Sequence, residues 1–477
     1  MAAIITPTLK TFFINKIFDD IGDSNQRYYL GIGESQDWDS TDTPPIPRSH
    51  EREERNFRLK MQSMKKVAAH SFVVPRNNWT AGTTYDAYSD DLDAYPTNAY
   101  YVLTDENKVF ICLQQAKNAQ GAPVASSVKP TGEESRPFET SDGYVWKYLY
   151  TISALRASQF VTSNFIPVQK LLSLDSGASV IDTLNKKIQD SAVPGEIVGI
   201  KLVNGGTGYT GTPTVSINGR FRNGKTDAHS DNKTALATAT ISGGAIVKIE
   251  MNDSGSGAKA GKAFGKNYDF AQVTFSGGGG ANAKAQAIIA RDSGISGDPR
   301  RALRSTAIMF NTKIEGTENK KFLVNQDFRQ VGLIKNPVDM ALDSFGARAF
   351  GSFPNLSENG LRGLKFTTIT ANFTRDNTIL GLTSGAKAYI DQFDSSVIKY
   401  HQDETTGFLE FLEGETIDEV NGNGSGTLMP SGADADSAAF TESGIDITSG
   451  EILYIDNRAS ITRDTEQTED LKVVVQL

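Results

Sequence analysis

The sequence predicts an α+β protein that is mainly β and carries two small β-rich inserted modules. Three observations predict this class: an alternating aromatic strand in residues 135–152, two helical patterns near the N-terminus, and two regions in which the composition changes. The predicted domain order is residues 1–193 as the first part of a main body, 194–300 as a Gly-rich duplicated β insertion, 301–375 as main body, 376–445 as an acidic β insertion, and 446–477 as the closing strands of the main body.

Two helices are expected in the first part of the main body. Apolar residues recur at helical spacing over residues 8–21, and Gly22 stands where a C-terminal cap is expected. Residues 50–70 form the second predicted helix, because acidic residues near its start and Lys65 and Lys66 near its end suit the helix dipole. The apolar stripe of this second helix is expected to be Phe57, Met61, Met64 and Ala68.

Short strands are predicted for most of the remaining main body. A hairpin is expected from residues 100–103 and 108–113, with its turn at Asp105, Glu106 and Asn107. Further strands are predicted at residues 28–33, 71–74, 302–313, 328–334, 364–373, 450–458 and 471–477. Strands inside the second insertion are predicted at residues 386–390, 397–400 and 408–412. Two further helices are predicted in the main body, at residues 155–161 and 339–350.

The aromatic strand follows a turn at Asp142 and Gly143 and then alternates. Four aromatic side chains are expected on one face, with Val145, Lys147 and Leu149 on the other. Since each aromatic side chain buries roughly 150–250 Å², this face belongs either in a core or in a permanent contact with another chain. The candidate interface residues are Trp38, Trp79, Tyr144, Trp146, Tyr148 and Tyr150.

An internal repeat is visible in residues 194–300. Residues 197–209 and 246–257 begin with the related runs Ile-Val-Gly-Ile-Lys-Leu and Ile-Val-Lys-Ile-Glu-Met, and each continues into a Gly-rich turn. A short β run follows each copy, and each copy closes with an alternating run, at residues 235–241 and 281–289. Two copies of strand, Gly-rich turn, strand and strand predict a small duplicated β module.

Composition argues against several classes of function. The net charge of −9 argues against a sequence-independent grip on nucleic acid, which needs a basic face. The single cysteine, Cys112, excludes an internal disulfide and a Cys-based zinc site. Neither a signal peptide nor membrane insertion is expected, because no run approaches the ~20 apolar residues of a membrane span and the N-terminus lacks a basic region.

No catalytic, cofactor-binding or metal-binding residues are predicted. The acidic run in residues 90–93 fits a solvated loop, because calcium-loop spacing is missing around it. Helical patterns do not follow the Gly-rich runs at residues 204–208 and 277–280, which favours tight turns over phosphate loops. The histidines are dispersed and match no metal-ligand spacing; they are His50, His70, His229 and His401.

Four motifs resemble one family of phage proteins. They are Asp142-Gly-Tyr-Val-Trp-Lys-Tyr-Leu-Tyr150, Phe328-Arg-Gln-Val-Gly-Leu-Ile-Lys-Asn-Pro337, Val74-Pro-Arg-Asn-Asn-Trp79, and the closing run from Ser449 through Arg458 to Gln467-Thr-Glu. Together they resemble the baseplate wedge subunit numbered eight in T-even-like contractile-tailed phages. The matches keep the order of that family and cover about residues 1–191, 301–373 and 445–477, while the two insertions depart from its shorter pattern.

The resemblance implies a structural protein built on β-sandwich layers flanked by helices, with no catalytic residues and no cofactors to carry over. It implies a homodimer that contacts neighbouring baseplate wedge proteins. The chain is therefore predicted not to be an enzyme. It is predicted to act through protein–protein contacts in baseplate assembly and rearrangement, in the tail baseplate of a virion assembled in the host cytoplasm.

Two other functions are weighed against this one. The first is a tail-associated glycan- or receptor-binding protein, whose inserted modules would stack tyrosines on sugars; the candidates are Tyr209, Tyr268, Tyr389 and Tyr400. The second is a hydrolase with paired carboxylates, for which Glu410, Glu413 and Glu415 have the right chemistry. The second is less favoured, because paired carboxylates require a defined separation and one desolvated member.

Overall fold

A computed structural model of the chain describes residues 7–90, 99–226, 229–251, 264–290, 293–338, 340, 357–430, 432 and 438–476. Of the described residues, 43% are in strands and 11% in helices, in several antiparallel sheets, which confirms the predicted α+β, mainly β class with sandwich-like layers. In the described residues the helices are α1 (Pro7–Gly22), α2 (His50–Leu59), α3 (Ala154–Phe160), α4 (Val180–Asp190) and α5 (Pro299–Ala302).

The strands are given in chain order. The first eight are β1 (Tyr28–Gly33), β2 (Met61–Lys66), β3 (Ala69–Pro75), β4 (Tyr101–Leu103), β5 (Lys108–Gln114), β6 (Phe138–Glu139), β7 (Val145–Thr151) and β8 (Phe165–Val168). The next six are β9 (Glu196–Thr207), β10 (Thr214–Phe221), β11 (Ala237–Ser242), β12 (Ala245–Met251), β13 (Tyr268–Ser276) and β14 (Ala281–Ala290). The last are β15 (Ala307–Glu315), β16 (Asp327–Lys335), β17 (Ser357–Asn359), β18 (Arg362–Ala371), β19 (Thr378–Gly381), β20 (Lys387–Asp394), β21 (Val397–His401), β22 (Thr416–Val420), β23 (Ser425–Leu428), β24 (Phe440–Thr441), β25 (Glu451–Thr462) and β26 (Thr468–Gln476).

The chain divides into two compact units. The first comprises residues 1–14, 71–308 and 476–477, and the second comprises residues 15–70 and 309–475. Residues 194–300 therefore lie entirely in the first unit, and residues 376–445 lie entirely in the second.

The first unit contains the aromatic strand in an antiparallel sheet of order β4-β5-β7-β6. The predicted hairpin is confirmed as β4 and β5, and Asn107 in its turn has a φ of 58°, a conformation that asparagine tolerates. The predicted helix at residues 155–161 is confirmed as α3. Helix α4 was not predicted; the Ser179 hydroxyl caps its N-terminus by accepting from the Asp182 N–H. In the same unit β3 pairs with β8.

The inserted part of the first unit forms a sheet of order β12-β11-β10-β13-β14-β9 in the described residues. Exchanging β9–β11 for β12–β14 reproduces this order read from the other end, so the strand order has the symmetry of a duplication. The antiparallel pair β10 and β13 lies at the centre. The two outer strands approach each other, since the Tyr209 N–H donates to the Gly244 carbonyl at 3.0 Å. The sheet therefore curls around its own apolar core.

The second unit contains a sheet of order β17-β2-β1-β16-β25. The predicted helix over residues 50–70 is wrong beyond Leu59, because the chain turns there and continues as β2, which pairs with β1. Met61 and Met64 still pack in the same core as Phe57 of α2. Their spacing therefore reflects a shared core and not a continuous helix.

A second sheet of this unit has the order β21-β20-β19-β22-β23-β18-β24, and β18 also pairs with β21. This additional pairing closes the sheet into a barrel-like ring around an apolar core. Strand β18 belongs to this ring, although the sequence places it in the main body. The strand predicted at residues 408–412 is wrong, because this segment is a loop. The helix predicted at residues 339–350 lies outside the described residues, apart from residue 340.

Candidate interface residues and polar sites

Four of the candidate interface residues are buried inside the first unit, and three of them, Tyr144, Trp146 and Tyr148, share one apolar core. Tyr144, Trp146, Tyr148 and Tyr150 are each at most 3% exposed. Tyr144 stacks on Trp146 with ring centroids 5.6 Å apart, and Tyr85 packs edge-on against Trp146 at 5.7 Å. Such offset and edge-to-face pairs stabilise aromatic cores beyond their buried area. The aromatic strand is therefore core within this chain.

The hydroxyl groups of the aromatic strand are hydrogen-bonded inside the same unit. Tyr144 donates to the Val124 carbonyl at 2.7 Å, and Tyr150 donates to the Pro167 carbonyl at 2.9 Å. Burial raises the pKa of Tyr144 to about 12. These hydroxyls act as neutral structural donors, because burial disfavours the phenolate.

The predicted alternation is wrong for Tyr150. Tyr148 lies opposite Phe110 and Tyr150 lies opposite Val109, so two steps along β7 match one step along β5. Because neighbouring residues of β5 face opposite sides of the sheet, this β-bulge turns Tyr150 to the face away from Tyr148. The structure thus separates two residues that strict alternation places together.

Trp79 and Trp38 are half-buried and lie in different units. Trp79 packs against the core that contains Trp146, and its Nε1 donates to the Ser126 hydroxyl at 3.3 Å. In the second unit the Trp38 indole donates to the Arg458 carbonyl at 2.8 Å. The six candidates therefore do not form one surface.

The sequence analysis did not predict a buried cluster of charged side chains in the second unit. Lys60 Nζ lies 2.8 Å from Glu34 and 3.5 Å from Asp403. Close by, His401 Nδ1 lies 2.7 Å from Asp391 Oδ2. We call these five residues the His401 cluster; it joins the end of β1 to strands β20 and β21.

The His401 cluster changes the charge preferences of its members. Burial opposes the imidazolium of His401, but the Asp391 carboxylate outweighs this and raises the pKa of His401. Burial also raises the pKa of Glu34, against the attraction of Lys60. Backbone N–H groups of Thr405 and Thr406 lower the pKa of Asp403 even though burial opposes its charge. Opposite charges thus hold the cluster together.

The His401 cluster contains an Asp–His pair but lacks the arrangement of a nucleophilic site. A nucleophile has to reach the imidazole that activates it. Ser35 instead donates to Asp391 Oδ1 at 2.7 Å. The other imidazole nitrogen, Nε2, is buried and meets no hydrogen-bond partner within the described part of the chain. The pair therefore fixes structure and does not present a base to a substrate.

A second polar site is a cavity of about 350 Å³ in the first unit, which we call the Lys147 pocket. Lys147 of β7 lies in its wall with 4% of its surface exposed, and its Nζ donates to the Ser135 carbonyl. Glu196 at the start of β9 faces the same space. The other charged residues of the lining are Arg136, Lys233 and Lys266.

Burial opposes both central charges of the Lys147 pocket. Desolvation lowers the pKa of Lys147 to about 8, although Glu196 favours the charged amine. Desolvation raises the pKa of Glu196, against the attraction of Lys147 and Arg136. Sequence offered one signal for this site, a lysine in the middle of a strand that is otherwise apolar and aromatic. The position of Glu196 in the same cavity depends on contacts between distant segments of the chain.

Residues of the two alternative functions are mostly engaged inside the chain. Tyr209, Tyr268 and Tyr400 are buried and offer no ring face for stacking on a sugar, and Tyr389 is half-buried beside His401. Among the proposed carboxylates, Glu410 pairs with Arg362 at 3.0 Å, while Glu415 accepts backbone N–H groups at 2.6–3.1 Å. These contacts favour structural roles for both carboxylates.

The described residues contain no group of three or more His, Cys, Asp or Glu side chains arranged to hold a metal ion. Of the acidic run, Asp91 and Asp93 lie outside the described residues. Across the part of the chain that the structure describes, no helix combines the length and the apolar character that crossing a bilayer requires. Burial raises the pKa of the Cys112 thiol.

No protein-family model matches the chain, and no curated protein matches it.

Proposed function

We propose that this chain is a structural subunit of a contractile-tail baseplate wedge, acting as a homodimer that contacts neighbouring wedge proteins. The family resemblance of its four ordered motifs supports this class. The fold is compatible with it, since the buried aromatic and charged groups described above stabilise each unit. Function then depends on the surfaces that the subunit presents to its neighbours.

The observation that carries the proposal is an exposed group of large apolar side chains on loops beside the closed sheet of the second unit. These side chains are between 49 and 60% exposed, and we call them the apolar edge: Leu382, Phe408, Leu409 and Leu412. Clustered apolar surface of this kind marks protein contact sites more often than scattered single residues do. An aromatic side chain flanked by leucines is a suitable anchor for a partner.

Glu415 holds the two segments of the apolar edge side by side. Its carboxylate accepts the Leu412 N–H at 2.6 Å and the Thr383 N–H at 3.1 Å. The Leu382 N–H donates to the Thr416 carbonyl at 3.0 Å. A surface fixed in this way loses little conformational freedom when a partner covers it, which favours association.

The experiment replaces the centre of the apolar edge in phage that depend on this gene. Phe408→Ser combined with Leu409→Ser is expected to reduce the number of complete baseplates by more than about tenfold, since an interface anchor contributes about 2 kcal/mol or more. Electron microscopy of cell lysates gives the count. Leu172→Ser is the matched control, because Leu172 is equally apolar and 81% exposed in the other unit.

Two results decide the test. Purified double variant should unfold at the wild-type temperature, because the replaced side chains are exposed. Normal baseplate numbers with the double variant would contradict a contact role for the apolar edge, and absence of the wild-type chain from tails would contradict the whole proposal.

A further inference from the structure

The Lys147 pocket has the properties of a binding site that the baseplate role does not use. Its volume of about 350 Å³ falls within the range of small-molecule sites. Four basic residues and one acidic residue line it, so the balance of charge around the space is positive. All of its described lining residues belong to the first unit.

The central lysine lacks a direct counter-charge. Glu196 attracts Lys147, but these two described side chains do not come within ion-pair distance. A buried ammonium without a paired carboxylate is costly, because the interior solvates charge poorly. An anion in the pocket would supply the missing charge.

We propose that the Lys147 pocket binds a small oxyanion of the phosphate or sulfate class. Lys147 provides a buried donor, and Arg136 provides a planar guanidinium suited to two oxygens of such a group. Lys233 and Lys266 are exposed and attract the anion into the pocket. In its protonated form Glu196 donates a hydrogen bond to the anion and adds no repulsion.

The proposal has a defined pH dependence. Lys147 loses its proton as the pH rises through about 8. Glu196 faces the same space, and burial raises its pKa against the attraction of Lys147 and Arg136. Affinity for sulfate, which keeps its charge over this range, is therefore expected to fall as the pH rises from about 6 to about 9. The other charged groups that face the space are Arg136, Lys233 and Lys266.

The test is calorimetric titration of the full-length chain with sulfate, with inorganic phosphate and with a sugar phosphate. The Lys233→Gln/Lys266→Gln double variant is expected to raise Kd by about tenfold, which corresponds to about 1.4 kcal/mol. Lys147→Met is expected to abolish binding. Lys284→Gln is the control, because Lys284 is an exposed lysine of the same inserted sheet outside the pocket. Tighter binding of the sugar phosphate than of free phosphate would identify a phosphorylated metabolite as the ligand, and the reverse would identify the free ion.

Three results would overturn the proposal. The first is a wild-type chain that shows no saturable binding of any of the three anions. The second is an unchanged Kd in the Lys233→Gln/Lys266→Gln variant, which should fold because both side chains are exposed. The third is an equal loss of affinity in Lys284→Gln, which would indicate attraction by the general surface charge.

Discussion

His401 is the residue at which the stability of the second unit depends most clearly on protonation. Its pKa is raised in the folded state, since the contact with Asp391 outweighs burial. In the unfolded chain the value returns to about 6.5. Protonation of His401 therefore stabilises the fold below that pH, and this contribution is lost as the pH rises through the folded-state pKa. Glu34, Lys60 and Asp403 also face the imidazole and set the size of the effect.

The first prediction concerns this dependence. The unfolding temperature of the second unit should fall as the pH rises above about 6.5, the pKa of an unperturbed histidine. His401→Gln should flatten the dependence and lower the free energy of unfolding at pH 6 by about 3 kcal/mol, because it leaves Asp391 buried without its partner. Differential scanning calorimetry measures both. His50→Gln is the control, since His50 is 77% exposed; a His401→Gln profile equal to that of wild type would refute the argument.

A pair of tyrosines in the duplicated module gives a second prediction. The Tyr268 hydroxyl accepts from the Ala235 N–H at 3.1 Å and donates to the Ile217 carbonyl at 3.2 Å. Tyr268→Phe should therefore cost about 1–3 kcal/mol, because it leaves buried backbone groups unpaired. Tyr209 is also buried, but its hydroxyl makes no hydrogen bond to any described residue. Tyr209→Phe should be nearly neutral in urea unfolding, and equal losses for the two variants would contradict this assignment.

At the scale of elements, a glycine pair fixes how α2 packs on the five-stranded sheet. Gly31 of β1 and Gly332 of β16 lie opposite each other in the antiparallel register. The ring of Phe57 sits over both, and a Cβ added at Gly332 would lie 2.5 Å from its Cζ. The absence of side chains at these two positions creates the space that the Phe57 ring fills.

The third prediction tests this packing. Gly332→Ala should destabilise the second unit by about 1–3 kcal/mol, because the Phe57 ring has to move within a filled core. Gly22→Ala is the control, as no atom lies within 4 Å of the added methyl group. Thermal unfolding monitored by circular dichroism compares the two. A tolerated Gly332→Ala would show that α2 can shift without loss of stability.

Local signals predicted the elements whose causes are local. The hairpin of β4 and β5 was readable because Asn107 supplies the required turn conformation. The end of α2 could not be predicted from the sequence, because the spacing of Met61 and Met64 also suits a continued helix. In the structure these residues lie on β2 and pack in the same core as α2. The apolar side chains of residues 408–412 predicted a strand, but this segment is a loop. The Leu412 N–H donates to the Glu415 carboxylate and not to a neighbouring strand.

The candidate site was predictable only in part for the same reason. Residue type singled out the aromatic strand. Of the two predicted alternatives, a core or a permanent contact with another chain, the strand lies in a core. The β-bulge that turns Tyr150 depends on the register with β5, which alternation within one strand does not contain. Likewise, Lys147 and Glu196 line the same cavity although they are far apart in the sequence.

At the scale of the whole molecule, each unit combines a body sheet with a sheet that curls on itself. Curling protects most backbone edges from unwanted pairing with other chains. The apolar edge differs from these protected parts, because its large apolar side chains are in contact with water. Under the proposed baseplate role, this surface is fixed before assembly, and a partner would cover it without refolding of the chain.

The mass of the intact chain in solution tests the central claim most directly. Sedimentation equilibrium over a range of concentrations should give twice the mass of one chain, because a subunit that works through contact area is expected to pair with its own copy. A mass equal to one chain at every concentration would contradict the proposed homodimer and the contact-based account that depends on it.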